Sequence, residues 1–259
     1  MGKIIAISTP KGGVGKTTTA INLALALSDK KKRTLLIDLD PSGQCASSLG
    51  FMPNSINGDI LDVFRFSKSF KSVIHKTENE DLDFVPMKSL DYANEKKLTN
   101  LISQEFLFKD ILSSEIYSYN YIIIDSPPNL SGTTTNVLLA ADSVLIPVRS
   151  SQHSVNEVNR FIDHIDLIKE KYNSSLQIEG LLLTMYESKT KASFLAKKLI
   201  LEKYPNHVLN LVIPKNVEVS EASFYNKPIL RFNPNAKSSI AYKNLAEELI
   251  NRHSTPVLS

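Results

Sequence analysis

Short runs of aliphatic and β-branched residues recur at positions 4–8, 34–39, 82–85, 121–125, 144–148, 178–185 and 208–213. They are short and almost unbroken in apolar character, which predicts strands buried on both faces rather than strands with one wet side. Between most of them the apolar positions shift to spacings of three and four, over 17–28, 92–116, 133–141, 154–171, 192–204 and 237–252. That period predicts helices. Strand alternating with helix implies parallel crossovers, so the expected class is α/β. The expectation is a single doubly wound domain over 1–259, with a mostly parallel twisted sheet of about seven or eight strands and helices on both faces. The stretch 49–88 is the least regular, with one short helix expected at 60–64.

Composition narrows the class. A chain of 259 residues that is 42% hydrophobic can bury a sizeable core, which excludes disorder over its length. One cysteine cannot build a disulfide framework or a Cys-rich zinc site, and a reducing compartment fits it. Apolar runs such as 121–124 and 181–183 fall far short of the ~18 residues of a spanning helix. Near the amino terminus Lys11 and Lys16 interrupt any apolar stretch of signal-peptide length. A cytoplasmic protein without a membrane anchor is therefore expected. The net charge is only +3, but residues 180–259 hold 11 Lys and Arg against 6 Glu and no Asp. The carboxy-terminal third is the basic part.

The chemistry concentrates in Pro10-Lys11-Gly12-Gly13-Val14-Gly15-Lys16-Thr17-Thr18, which holds three of the nine glycines between the first strand and the first helix. A strand, a glycine-rich turn and a helix N-terminus together present several backbone N–H groups and the positive end of the helix dipole to one anion. Phosphate is the natural ligand. Lys16 can neutralise the β and γ phosphates, and the Thr17 hydroxyl can sit on Mg²⁺. Asp38 and Asp40 follow the second strand and point to the same side if the extended conformation persists, while Asp125 ends an apolar strand.

A glycine would ordinarily stand at position 10 of such a loop; here Pro10 and a second lysine, Lys11, begin it. In this the chain resembles the ParA/MinD family of deviant P-loop ATPases. The resemblance extends through Leu36-Ile37-Asp38-Leu39-Asp40-Pro41, Tyr121-Ile122-Ile123-Ile124-Asp125-Ser126-Pro127-Pro128, Ala140-Ala141-Asp142-Ser143-Val144-Leu145-Ile146-Pro147-Val148 and Ile213-Pro214-Lys215-Asn216-Val217, followed by Ser220-Glu221-Ala222. It implies an ATPase with ATP and Mg²⁺ as cofactors and a slow intrinsic rate. Nucleotide would lie against Lys11, Gly12, Gly13, Val14, Gly15, Lys16, Thr17 and Thr18, with Pro214 and Asn216 on the adenine. Thr17, Asp38 and Asp125 would serve the metal. Lys11, Lys16 and Asp40 would be catalytic, Asp40 orienting or deprotonating the attacking water and Lys11 reaching the phosphates of a partner subunit in an ATP-dependent homodimer.

The ParA branch further implies non-specific double-stranded DNA and a ParB-like centromere-binding protein as partners, with a nucleoid-associated location. Lys189, Lys191, Lys215, Arg231 and Lys237 are the candidate DNA contacts. Glu218 stands where the family often has arginine, and Ser42 replaces a frequent glutamine. The competing readings are a MinD-like membrane switch, a positioning ATPase with a non-DNA cargo, and a metabolic ATP-dependent enzyme on the same fold. The acidic residues of 244–252 argue against a membrane-binding tail helix. The P-loop strand starts at Lys3, so no preceding helix-turn-helix is expected. Iron–sulfur relatives need two cysteines per subunit, so Cys45 is expected to be a small buried apolar residue.

Overall fold

A computed structural model describes residues 2–91, 94, 95, 98, 101, 102, 106–113, 116–130, 132–151 and 154–254. Eight strands form one sheet: β1 (Lys3–Ile7), β2 (Thr34–Asp38), β3 (His75–Lys76), β4 (Leu82–Val85), β5 (Tyr121–Asp125), β6 (Ser143–Arg149), β7 (Gln177–Tyr186) and β8 (Val208–Pro214). Their order is β3-β4-β2-β5-β1-β6-β7-β8. Every pairing is parallel except β3 with β4. This is the doubly wound sheet expected. The two-residue β3 has no apolar run to announce it and exists as an antiparallel edge on β4.

The helices are α1 (Lys16–Asp29), α2 (Gln44–Ser48), α3 (Ile60–Phe64), α4 (Leu107–Ser113), α5 (Gly132–Ala140), α6 (Ser154–Lys171), α7 (Lys191–Lys203), α8 (Val217–Phe224), α9 (Ile229–Phe232) and α10 (Lys237–Ser254). Alternate residues of each buried strand feed two cores. Ile4 and Ala6 join Ile122 and Ile124 on the face covered by α3 to α7, while Ile5 and Ile7 join Tyr121 and Ile123 on the face covered by α1 and α10. A helix buried across most of its circumference needs small residues where it crosses the sheet. In α1, Ala20, Ala24 and Ala26 are within 1% of full burial.

The single helix expected over 92–116 is corrected. Parts of that range lie outside the described residues, but Phe106 has φ 69°, in the left-handed region, and α4 begins only at Leu107. A non-glycine residue there interrupts a right-handed helix. Helices α2, α8 and α9 also went unforeseen. Each is short, and α2 and α8 start from capping turns at Gly43 and Asn216 rather than from a long apolar period. Among the described residues no helix is long and apolar enough to cross a membrane.

The end of α5 is tied down by a distant side chain. Asn173, 5% exposed and just beyond α6, donates through Nδ2 to the carbonyls of Leu138 (2.9 Å), Leu139 (3.3 Å) and Ala141 (2.9 Å). These are orphan carbonyls of a helix terminus, and burial makes them costly to leave unpaired. Asn173→Ala should cost about 2–3 kcal/mol. Urea denaturation would show this as a lower midpoint at unchanged slope, and a shift under about 0.5 kcal/mol would mean that water replaces the amide.

Candidate functional site

Three adjacent strands, β2, β5 and β1, deliver the chemistry to one edge of the sheet. The parallel register of β2 and β5 sets Asp38 opposite Asp125, and that of β1 and β5 sets Ile7 opposite Asp125. The chain leaving Ile7 becomes the glycine-rich loop. Gly13 and Gly15 have φ of 69° and 88°, and a Cβ at either would meet nothing within 4 Å, so conformation rather than space demands glycine here. Gly15 precedes α1, whose first backbone bond runs from Thr19 N–H to the Gly15 carbonyl. The loop is anchored from β7: the Thr184 hydroxyl donates to the carbonyl of buried Val14 at 2.8 Å.

Lys16 is folded into this loop. It is 6% exposed and its Nζ donates to the Lys11 carbonyl at 2.9 Å. Burial lowers its pKa, while Asp125 and Asp40 act against that fall. The Lys11 ammonium is half-buried and lies 2.7 Å from Oε1 of Glu157 on α6. Glu157 carries no motif, and the sequence offered no signal for it beyond its place on a helix.

Asp38 and Asp125 are both fully buried. Burial raises the pKa of Asp38 well above the carboxylate range, and Asp125 adds to the rise; the N–H groups of Asp40 and Cys45 oppose it. Asp125 is pushed up to about 7, first by burial, with Asp40 adding to the rise and the Thr17 hydroxyl and Lys16 opposing it. Although Thr17 lies near, no donor among the described residues closes hydrogen-bond geometry on Asp125 Oδ1. Buried carboxylates facing one another with an oxygen unpaired suit a divalent cation, so the residues present fit Mg²⁺.

Asp40 is half-buried at the start of a tight turn. Its Oδ1 accepts the Ser42 N–H at 2.9 Å, and its own N–H donates to Asp38 at 3.0 Å. Gly43 closes the turn at φ 63°, where a Cβ would come within 2.7 Å of the Met87 carbonyl oxygen. Beside the first turn of α1 a cleft of about 70 Å³ is lined by Thr17, Thr18, Asn22, Gln44, Val219 and Ser223, among others. Pro214 and Asn216 do not line this cleft. Asn216 caps α8 by accepting the Glu218 N–H at 3.0 Å, and its Nδ2 donates to Glu218 and Ser238. A cavity of about 740 Å³ adjoins the cleft and shares Ser48, Lys227 and Pro228 with it, but no P-loop residue lines it.

The basic residues divide. Lys189, Lys191, Lys215 and Lys237 are exposed around the carboxyl ends of β7 and β8, Lys215 pairing with Glu187 at 2.8 Å. Arg231 is turned away, forking onto Asp29 with contacts of 2.6 and 2.9 Å. Asp29 ends α1, roughly 20 Å from the P-loop by the rise of a 14-residue helix. Each carboxylate oxygen of Glu218 accepts one side-chain amide, from Asn216 and from Asn233.

An AAA domain family model matches residues 2–178. The chromosome partitioning protein ParA of Myxococcus xanthus is 38% identical over 97% of this chain and 89% of its own length. The sporulation initiation inhibitor protein Soj of Bacillus subtilis is 36% identical over 96% of this chain and 98% of its own length. This chain belongs to the ParA/MinD family of P-loop ATPases. Among solved structures, the cobyrinic acid a,c-diamide synthase of Mycobacterium smegmatis with ADP and magnesium superposes with a TM-score of 0.82 and 26% identity, over 98% of this chain and 96% of that one.

The raised pKa of Asp125 has a pH signature. The group holds its proton up to about 7 in the folded chain against 3.8 unfolded, so its contribution is fully present below 3.8 and is lost as pH rises through about 7. In metal- and nucleotide-free protein, stability should fall across that window by up to about 1.4 kcal/mol per pH unit. Asp125→Asn should flatten the fall in denaturant midpoints. Equal slopes in the two proteins would show that Asp125 ionises freely.

Proposed function

We propose that this ATPase segregates DNA: it binds Mg·ATP, dimerises around it, holds non-specific double-stranded DNA as the dimer, and hydrolyses ATP slowly until a ParB-like partner accelerates it. The observation that carries this reading is the loop of 10–18, with Lys16 inside it and two buried carboxylates on the next two strands of the sheet, in a chain 38% identical to a partition protein. A cytoplasmic, nucleoid-associated location follows from the same reading.

The loop N–H groups from Gly12 to Thr18 and the start of α1 would hold the phosphates, and Lys16 would exchange the Lys11 carbonyl for phosphate oxygens. The cleft beside α1 would take the nucleoside, with Pro214 and Asn216 supporting it through α8. Thr17, Asp38 and Asp125 would hold Mg²⁺, which when bound supplies positive charge against the phosphates. Asp40, kept in place by the Ser42 N–H, would orient or deprotonate the attacking water. Catalysis on this plan is mostly positioning and charge stabilisation.

Lys11 is the intersubunit element, and in this chain it is held by Glu157. To reach a partner's phosphates it must leave that carboxylate, so the contact favours the monomer until ATP compensates for it. A triphosphate shared between two subunits has the differential affinity for the dimer that a switch requires. Lys189, Lys191, Lys215 and Lys237 would form the DNA surface, doubled in the dimer; Arg231 would join it only by leaving Asp29. The likeness to a diamide synthase keeps a metabolic ATP-dependent reaction as the second reading. DNA binding separates the two.

Binding of a random-sequence duplex by the Asp40→Ala protein, across a salt series, with mass followed in the same samples, tests the proposal. Salt-sensitive binding by a dimer with ATP and not with ADP is expected. Adding Glu157→Gln should raise the dimer fraction at subsaturating ATP, and adding Lys11→Ala should lower it. Replacing Lys189 and Lys215 with alanine should reduce the salt slope by about one for each phosphate that is no longer neutralised. A dimer that ignores DNA would remove the partition reading.

A further inference from the structure

Cys45 is buried in the hydrophobic core, as expected, but it also meets two carboxylates there. Its thiol is enclosed between the two buried carboxylates, with Sγ donating to Asp125 Oδ2 at 3.7 Å and its backbone N–H donating to Asp38 Oδ2 at 3.2 Å. One ligand atom from each of Asp38, Cys45 and Asp125 lies within 4.8 Å of the others, and all three residues are buried. We infer that these three side chains form a binding site for a thiophilic divalent cation of the Zn²⁺ class, distinct in its donor set from a Mg²⁺ site.

Three features support the site. Asp125 Oδ1 is buried and without a hydrogen-bond partner among the described residues, so one carboxylate oxygen is uncommitted. The spacing also fits: bonds of about 2.3 Å to sulfur and about 2.0 Å to oxygen at tetrahedral angles put S and O about 3.5 Å apart, close to the distance found. The charges then close, because two carboxylates and a thiolate are cancelled by a dication and the Lys16 ammonium. Asp38, although it accepts two backbone N–H groups, keeps further lone pairs for a metal. On binding, the Cys45 S–H proton leaves to solvent and a metal–sulfur bond replaces it. Mg²⁺ takes oxygen ligands and leaves sulfur alone, so the thiol decides which cation this pocket prefers.

The consequence for hydrolysis rests on the function proposed above: a cation held by Asp38 and Asp125 withdraws both from Mg·ATP, so zinc and Mg·ATP compete. The binding itself does not depend on that reading. Cd²⁺ titrated into the nucleotide-free full chain is the probe, followed by ultraviolet sulfur-to-cadmium charge transfer. Cys45 is the chain's only cysteine, so any such band reports this site. One Cd²⁺ per chain with that band is expected, competed by Zn²⁺ and absent in Cys45→Ala. Asp125→Asn should weaken it at least tenfold, since even outer-shell changes cost about 10- to 100-fold in metal affinity. No band in the folded wild-type chain, or a band indifferent to Asp125→Asn and Asp38→Asn, would overturn the site. A band that Mg·ATP fails to displace would leave the site standing and remove Asp38 and Asp125 from the nucleotide's metal.

Discussion

Two aspartates that end neighbouring strands face each other in the protein's interior, and the surroundings of the site are arranged around their charge. A buried carboxylate pair is unfavourable unless protonated, hydrogen-bonded or matched by cations. The chain uses all three devices in part. Asp38 takes two backbone N–H groups, Asp125 is raised to about 7, and Lys16 lies close enough to be pulled on by Asp125 and Asp40. The charge that remains calls for a dication. A balance of this kind favours a bound dication at the folded site.

The same constraint accounts for the architecture at the sheet edge. The parallel register places Asp38 and Asp125 side by side at the ends of strands whose interiors are apolar. Gly43 lets the Asp40 turn fold against the Met87 carbonyl, and Thr184 pins the P-loop from the far side. Lys11 links this centre to α6 through its ion pair with Glu157.

Much of this was legible in the sequence because it is local. The glycine cluster, the apolar runs ending in Asp38 and Asp125, and the long helical periods each declare themselves within ten or twenty residues. What stayed hidden depends on side chains brought together across the fold. Glu157 lies 146 positions from Lys11, and the thiol of Cys45 meets Asp125 across 80. The cap that Asn216 places on α8 and the fork of Arg231 onto Asp29 are likewise contacts that no local pattern announces. The break at Phe106 could not be read from apolar spacing, which runs through it unchanged.

The most direct measurement is the thermal stabilisation of wild-type and Asp125→Asn protein by ATP, at a pH above the raised pKa of Asp125, with Mg²⁺ or with chelator. If the buried pair awaits a metal–nucleotide complex, Mg²⁺ should add substantially to the shift that ATP alone gives in the wild type. That increment should vanish in Asp125→Asn, while stabilisation by metal-free ATP remains. Equal stabilisation of the wild type with and without Mg²⁺ would contradict it.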